Sequence, residues 1–343
     1  MSSQNEAAYL DAARSSPLAV KDAPEPAPPS SNQLIIKAKA IAVNPMDAMI
    51  QQTGMIVPPE AYPYILGCDV AGEVVAVGSS VAKVKPGDRV LACAERGCFQ
   101  KFNTVDQSLV TKIPQNVKDT EACVLPLALC TAAVTLFQKD TLALDLPRLD
   151  ARPNGKVVLA WGGASAVGTN GIQLLKAAGY DVAAVAGNRN HQYCKDLGAD
   201  YVFDHKSADV EKEIIETLKE KSFAGVACFI MSMDIIAACA RIADQLGDNP
   251  KNKFVGTVLA PGMNYQGPLP DGVSIGYTWG DSLKYNEVGP AIWDKWLTPA
   301  LANGSMKCKP DPEVVGKGLE SVQAGLDQVA SGVSAKKIVI EIA

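Results

Sequence analysis

One stretch constrains the fold of this chain more than any other: residues 156–179, KVVLAWGGASAVGTNGIQLLKAAG. Val157, Val158, Leu159, Ala160 and Trp161 form an apolar run short enough to be a buried parallel strand. A turn of small residues, 162–168, leads into a helical pattern with Ile172, Leu174, Leu175 and Ala178 on one side and Gly179 as its stop. A strand feeding such a turn aims free backbone N–H groups and the positive end of a helix at one point. That point suits a phosphate, and in a βαβ unit the usual guest is a dinucleotide pyrophosphate. Gly162, Gly163 and Gly168 stand where side chains would hold the backbone away. The spelling departs from G-x-G-x-x-G, so an ordinary strand–helix turn is the competing reading of these residues alone.

The rest of the chain must accommodate that unit. Its 343 residues exceed one ordinary core, which implies two domains. The share of hydrophobic residues, 48%, is that of a globular protein. A net charge of −5 without a dense Lys/Arg block argues against nucleic acid or an anionic membrane as partner. The first residues lack the apolar centre of a signal peptide, and no apolar run is expected to span a membrane. Nine cysteines, none in C-x-x-C spacing, read as reduced thiols, so a cytoplasmic, soluble protein is expected.

In chain order, residues 17–30 are proline-rich and then polar and read as a surface connection with extended geometry. Residues 33–43 and 69–77 read as strands, and up to about residue 115 short strands alternate with Gly/Pro turns, as in a β-barrel. Residues 121–137 read as helix, break at Pro126, helix, crossing between two domains. Strand patterns at 180–186, 200–203, 226–231, 253–259 and 273–277 then alternate with helical ones, which is the grammar of a doubly wound parallel sheet. The tail is expected to hold helices near 291–302 and 314–330 and a closing strand at 337–342. The fold class is therefore α/β, with residues 1–127 and 278–343 in one domain and 128–277 in the other.

This order, with Asn44-Pro45-x-Asp47, Gly67-x-Asp69-x-Ala71-Gly72-Glu73-Val74, Lys85-Pro86-Gly87-Asp88-Arg89-Val90, the turn at 162–168 and Leu197-Gly198-Ala199-Asp200, resembles the medium-chain dehydrogenase/reductase superfamily over nearly the whole chain. The resemblance implies a GroES-like β-barrel catalytic domain and a Rossmann domain. Residues 161–165, 188–190, 203–204, 315–320 and 332–337 are similar to zinc-lacking fungal members, among them trans-acting enoyl reductases of polyketide biosynthesis, and quinone oxidoreductases share the pattern. Against the zinc-dependent members, the ligand positions match Asn44, Cys68 with Asp69, and Leu127, and Leu127 cannot ligate. Cys93 and Cys98 are too few for a structural site, and His191 and His205 fall in the other half. No metal is expected, with Cys68 as a soft ligand the alternative.

An NAD site usually carries a carboxylate where the second strand ends. Here the residues are Gly187, Asn188, Arg189 and Asn190, and Asp181 comes before the strand, so NADPH is the expected cofactor with Arg189 on its 2′-phosphate. A solvated loop arginine is the alternative for Arg189, and Lys195 is a second candidate. The resemblance assigns further cofactor contacts to Pro45, Asp47, Ala48, Gly163, Ala164, Ser165, Ala166, Val167, His205, Val258, Leu259, Ser334 and Lys336.

Without a metal, addition of hydride to a conjugated C=C bond is easier than alcohol oxidation, because the charge spreads into an enolate. Asn44, Asp47 and Thr131 are the candidate catalytic groups. Each has a structural alternative: turn chemistry, a helix cap and a core-facing hydroxyl. Tyr64, Leu127, Leu129, Cys130, Ile275, Gly276, Tyr277 and Trp279 are expected to line an apolar substrate space, with aromatic packing as the rival. The leading expectation is an NADPH-dependent reductase of an activated C=C bond on a polyketide-like substrate, free or carrier-bound, in a monomer or homodimer. A quinone or small-enone reductase, and a non-redox cyclase or ligand-binding protein retaining NADPH, are the alternatives.

Overall fold

The computed structural model describes residues 4–260 and 262–342. The chain forms two compact units, one running to Leu127 and resuming at Trp293, the other Ala128–Ile292.

In the first unit Gln33–Val43 is the central strand of a sheet. It is flanked by Asp69–Val77 on one side and Lys336–Glu341 on the other, both antiparallel to it. Arg89–Cys93 and Val110–Lys112 continue the sheet beyond Asp69–Val77, and Phe102–Asp106 adds to Gln33–Val43. Leu34, Ile36, Ile41, Val70, Val74, Val90, Phe99, Ile338 and Ile340 meet in a buried core. The alternation in the sequence supplies this face.

Two expectations for this unit are corrected. Residues 17–30 contain a strand, Ala19–Asp22, which pairs with Glu6–Leu10. The helix expected over 314–330 begins only at Val322 and runs to Ser331, because Asp311–Lys317 is an edge strand parallel to Lys336–Glu341. Pro312 is tolerated on a sheet edge, Val314 and Val315 favour extended backbone, and Gly318 turns the chain at φ 86°.

The second unit is a six-stranded parallel sheet in the order Tyr201–Asp204, Asp181–Ala186, Lys156–Trp161, Ser222–Cys228, Phe254–Thr257, Ser274–Gly276. Numbered within the sheet this is 3-2-1-4-5-6, the doubly wound dinucleotide-binding order. The helices Ala166–Ala177, His191–Asp196, Val210–Leu218 and Met233–Leu246 lie between successive strands. Val157, Leu159, Val185, Ile214, Val226, Ile236 and Val255 belong to its core. Residues 278–292, expected with the barrel half, group with this unit. The Thr278 hydroxyl donates to Thr257 O at 2.7 Å, and Ser282 Oγ to Gln138 Oε1 at 2.6 Å. Such side-chain ties leave no periodicity in a sequence.

The stretch Asp119–Phe137 is long and apolar enough to cross a membrane by length and composition, contrary to expectation, and 78% of it is buried inside the protein. Pro126 does break it, into Asp119–Ala122 and Pro126–Phe137. The burial is that of a core helix.

Candidate active site

The parallel sheet carries those residues read as cofactor contacts that lie in the second unit to the carboxyl ends of its strands, whereas Pro45, Asp47, Ala48, Ser334 and Lys336 belong to the first. Lys156–Trp161 ends at the turn, and Gly162 takes φ 91°. Both Gly162 N and Gly163 N donate to Val185 O at 3.0 Å, and Ser165 N donates to Gly162 O. The helix opens at Ala166 with Ser165 as its cap, whose hydroxyl accepts Gly168 N at 3.0 Å. The N–H groups of Ala164, Ala166 and Val167 have no acceptor among the hydrogen bonds of the described residues, and all three residues are half-buried. They form the free donor cluster that an anion at a helix N-terminus needs. A Cβ at Gly168 would lie 2.1 Å from Gly162 O, so the turn closes this tightly only on glycine.

The neighbouring strands end alongside. Asp181–Ala186 runs out into Gly187, Asn188, Arg189 and Asn190, with the Asn188 and Arg189 side chains exposed. His205 follows Tyr201–Asp204, and a Cβ on Gly187 would lie 3.2 Å from its ring. Asp181 is the first residue of its strand, rather than preceding it, and so lies at the opposite end of the sheet. Its carboxylate is 3.9 Å from Lys176 Nζ. Val258 and Leu259 follow Phe254–Thr257, and Ile275 and Gly276 end the last strand, before Tyr277 and Trp279. Leu129, Cys130 and Thr131 lie on the helix Pro126–Phe137, with Leu129 and Cys130 fully buried and Thr131 half-buried. Trp279 is 44% exposed, whereas Tyr277 Oη accepts Tyr265 N at 3.4 Å. Sequence reasoning passed over Ile230, whose side chain sits where a Cβ on Gly162 would fall.

The barrel sheet builds a second, buried polar cluster. Ile338 is opposite Val43 and Asp69 opposite Ala42, so Lys337 and Asp69 arrive on the two sides of Asn44, just beyond the central strand. Asn44, Asp69 and Lys337 are each no more than 4% exposed. The Asn44 side-chain amide donates to Asp69 Oδ2 at 2.8 Å and its oxygen accepts from Lys337 Nζ. Lys337 Nζ is also 2.9 Å from Asp69 Oδ2, while Asp69 Oδ1 accepts Leu127 N at 2.6 Å. Asp47, in the first turn of the helix Pro45–Thr53, accepts Asn44 N at 2.8 Å and Gly67 N at 3.1 Å. It thus caps the helix from within, with Pro45 at the first position.

Burial pushes the Asp47 carboxyl from 3.8 up to about 6, and the nearby Asp69 carboxylate adds to the rise. Burial also pushes the Cys68 and Cys98 thiols well above their usual range, with Asp47 and Asp69 adding to it. Among the described residues no group of three or more His, Cys, Asp or Glu side chains could hold a metal ion. Tyr64 Oη accepts Arg96 Nη1 at 3.1 Å, whereas Ser334 and Lys336 are exposed on the segment leading to Lys337. Lys337 has no role in the sequence reading and Asp69 only a place in a motif and a match to a zinc-ligand position; two carboxylates and a lysine landing beside one Asn-Pro turn is visible only once the strands are paired.

Comparison with known proteins agrees with both halves. Residues 30–115 match the alcohol dehydrogenase GroES-like domain, and residues 166–247 match the zinc-binding dehydrogenase family. The chain is 37% identical to the dehydrogenase pigH of Monascus ruber, with 98% of this chain and 99% of that protein covered. It is 38% identical to the trans-enoyl reductase himH of Aspergillus japonicus over 90% of each. Among solved structures, the CurK enoyl reductase superposes with a TM-score of 0.75 at 18% identity, covering 99% of this chain and all of that one. A barrel of this kind, joined in one chain to a 3-2-1-4-5-6 sheet with a glycine turn, defines a nicotinamide-dependent oxidoreductase. The chain belongs to the medium-chain dehydrogenase/reductase superfamily.

Proposed function

We propose that this protein is an NADPH-dependent reductase of activated C=C bonds that works without zinc on polyketide-type substrates, free or carrier-bound. The observation that carries the reading is the cofactor end of the parallel sheet. Three free donor N–H groups stand at a turn only glycine can close, and the adjoining strand Asp181–Ala186 runs out into Gly187, Asn188, Arg189 and Asn190, none of them acidic. An acidic residue there would repel a 2′-phosphate, and a guanidinium pairs with one. Relatives named trans-enoyl reductases at 38% and 32% identity support the choice of reaction.

NADPH, when bound, supplies the hydride. The chain's contribution is then to bind and orient it. The N–H groups of Ala164, Ala166 and Val167 would hold the pyrophosphate, Arg189 the 2′-phosphate and the His205 ring the adenine. Pro45, Asp47 and Ala48 of the barrel loop, and Thr131, are the nicotinamide contacts that the family resemblance implies.

NADPH oxidation is to be followed with enoyl thioesters, enones, quinones and primary alcohols, on enzyme stripped of metal. Turnover of enoyl thioesters is expected, with NADPH favoured over NADH. Arg189→Ala should raise the KM for NADPH by about tenfold while leaving that for NADH within about twofold, since only the 2′-phosphate contact is lost. Equal use of both nucleotides by the wild type, or restoration of activity only by added metal, would overturn the reading.

A further inference from the structure

We propose that Lys337 is a positioning residue whose buried ammonium, acting through Asn44 and Asp69, holds the barrel loop and the start of the helix Pro126–Phe137 in their working geometry. The proposal rests on the reductase reading, because that reading places cofactor and substrate contacts on those two segments.

Lysine is almost never fully buried unless paired, and Lys337 is 3% exposed. A hydrocarbon side chain would fill the same space without desolvating a charge. What the ammonium adds is direction. Lys337 Nζ meets Asn44 Oδ1, which forces the Asn44 amide to turn its Nδ2 toward Asp69 Oδ2. The same Nζ lies 2.9 Å from Asp69 Oδ2. Asp69 then keeps its second oxygen for Leu127 N, at 2.6 Å. Four segments distant in sequence are thus locked around one cation. Asp47 extends the lock, because its carboxylate joins Asn44 N to Gly67 N.

This arrangement also explains why Asn44 is poorly placed to touch substrate itself. Its side chain is 4% exposed and engaged at both ends. Its part is to fix where Pro45, Asp47 and Ala48 stand, while Lys337 in turn anchors the exposed Ser334 and Lys336 that precede it.

The test compares full-length wild type with Lys337→Met, Lys337→Arg and the double variant Lys337→Met/Asp69→Asn. Amide hydrogen exchange is to be measured in peptides covering residues 44–53 and 122–130, with residues 156–186 as internal control. Lys337→Met should exchange about tenfold faster in the first two regions and unchanged in the third. Its KM for NADPH should rise by about tenfold, more than kcat falls, and Lys337→Arg should recover most of both effects. A merely structural lysine would loosen the whole barrel unit and would not divide KM from kcat. Should Lys337→Met fail to fold, the double variant, which leaves no carboxylate stranded, carries the same comparison. Exchange equal to wild type, or an arginine variant no better than methionine, overturns the proposal. A wild type that binds no NADPH would overturn the reductase reading instead, and the exchange data would still decide whether Lys337 holds the loop.

Discussion

Gly168→Ala should weaken cofactor binding by roughly 100-fold while leaving the chain folded. The added methyl would lie 2.1 Å from Gly162 O, 2.8 Å from its carbonyl carbon and 2.9 Å from Gly163 Cα, all of them backbone. No rotamer change relieves such a contact, so the turn itself must open. Opening it moves Ala164, Ala166 and Val167 away from the point at which their N–H groups converge. The stability cost is expected at about 3 kcal/mol, the upper end of overpacking penalties. Affinity should suffer by a comparable amount, since a displacement near 1 Å at a preorganised site costs roughly 100-fold. Gly163→Ala is the matched control. Its Cβ would meet Ile172 Cδ1 at 3.1 Å and Cys194 Sγ at 3.2 Å, side-chain ends that can shift by a few tenths of an ångström, and Ala184 Cβ at 3.2 Å, a milder contact than the 2.1 Å at Gly168. Calorimetric titration with NADPH should show Gly163→Ala within about threefold of wild type, because the turn keeps its shape. Wild-type affinity in a folded Gly168→Ala would mean that the turn does not hold the phosphates.

The nucleotide half was legible because its signals are local. The apolar run of residues 157–161, the glycine turn and the helix Met233–Leu246 each announce themselves within a dozen residues, and parallel strands buried on both faces repeat the pattern. The barrel half was legible as strands, with Gln33–Val43 and Asp69–Val77 ending where the alternation ends. What stayed hidden depends on pairing. Lys337 follows an exposed lysine and precedes an ordinary apolar strand, and nothing within reach of it in the chain marks it as buried. Its partners lie 293 and 268 residues away, brought together by two strand registers that no periodicity encodes. The misread segment 314–330 fails for the same reason. Its valines and glycines fit several local structures, and the parallel partner at Lys336–Glu341 decides among them.

The stability of the wild type relative to Asp47→Asn should fall as pH rises from about 4 to about 7, with the change complete just above the folded-state value of Asp47. That carboxyl is 2% exposed, and burial raises it from 3.8 to about 6 against the opposing hydrogen bond from Asn44 N. Between those two values the folded protein keeps a proton that the unfolded chain has released. The native state therefore binds more protons across this window, and stability declines with rising pH. Below it both states are protonated and the contribution is constant; above it the full cost of the buried charge remains. A rise of this size corresponds to about 3 kcal/mol. Exposed carboxylates such as Asp150 and Glu216, held low by Arg148 and Lys219, work in the opposite sense, so the total pH profile cannot isolate Asp47. The variant can. An asparagine offers one oxygen to two donors, Asn44 N and Gly67 N, and so loses about 1 kcal/mol at every pH. Urea unfolding should therefore find the wild type the more stable near pH 4 and Asp47→Asn the more stable near pH 7. Parallel stability curves would show that Asp47 titrates like an exposed carboxylate. Crossing curves would mean that the loop bearing Pro45 and Ala48 is held at neutral pH by a buried charge that destabilises the fold.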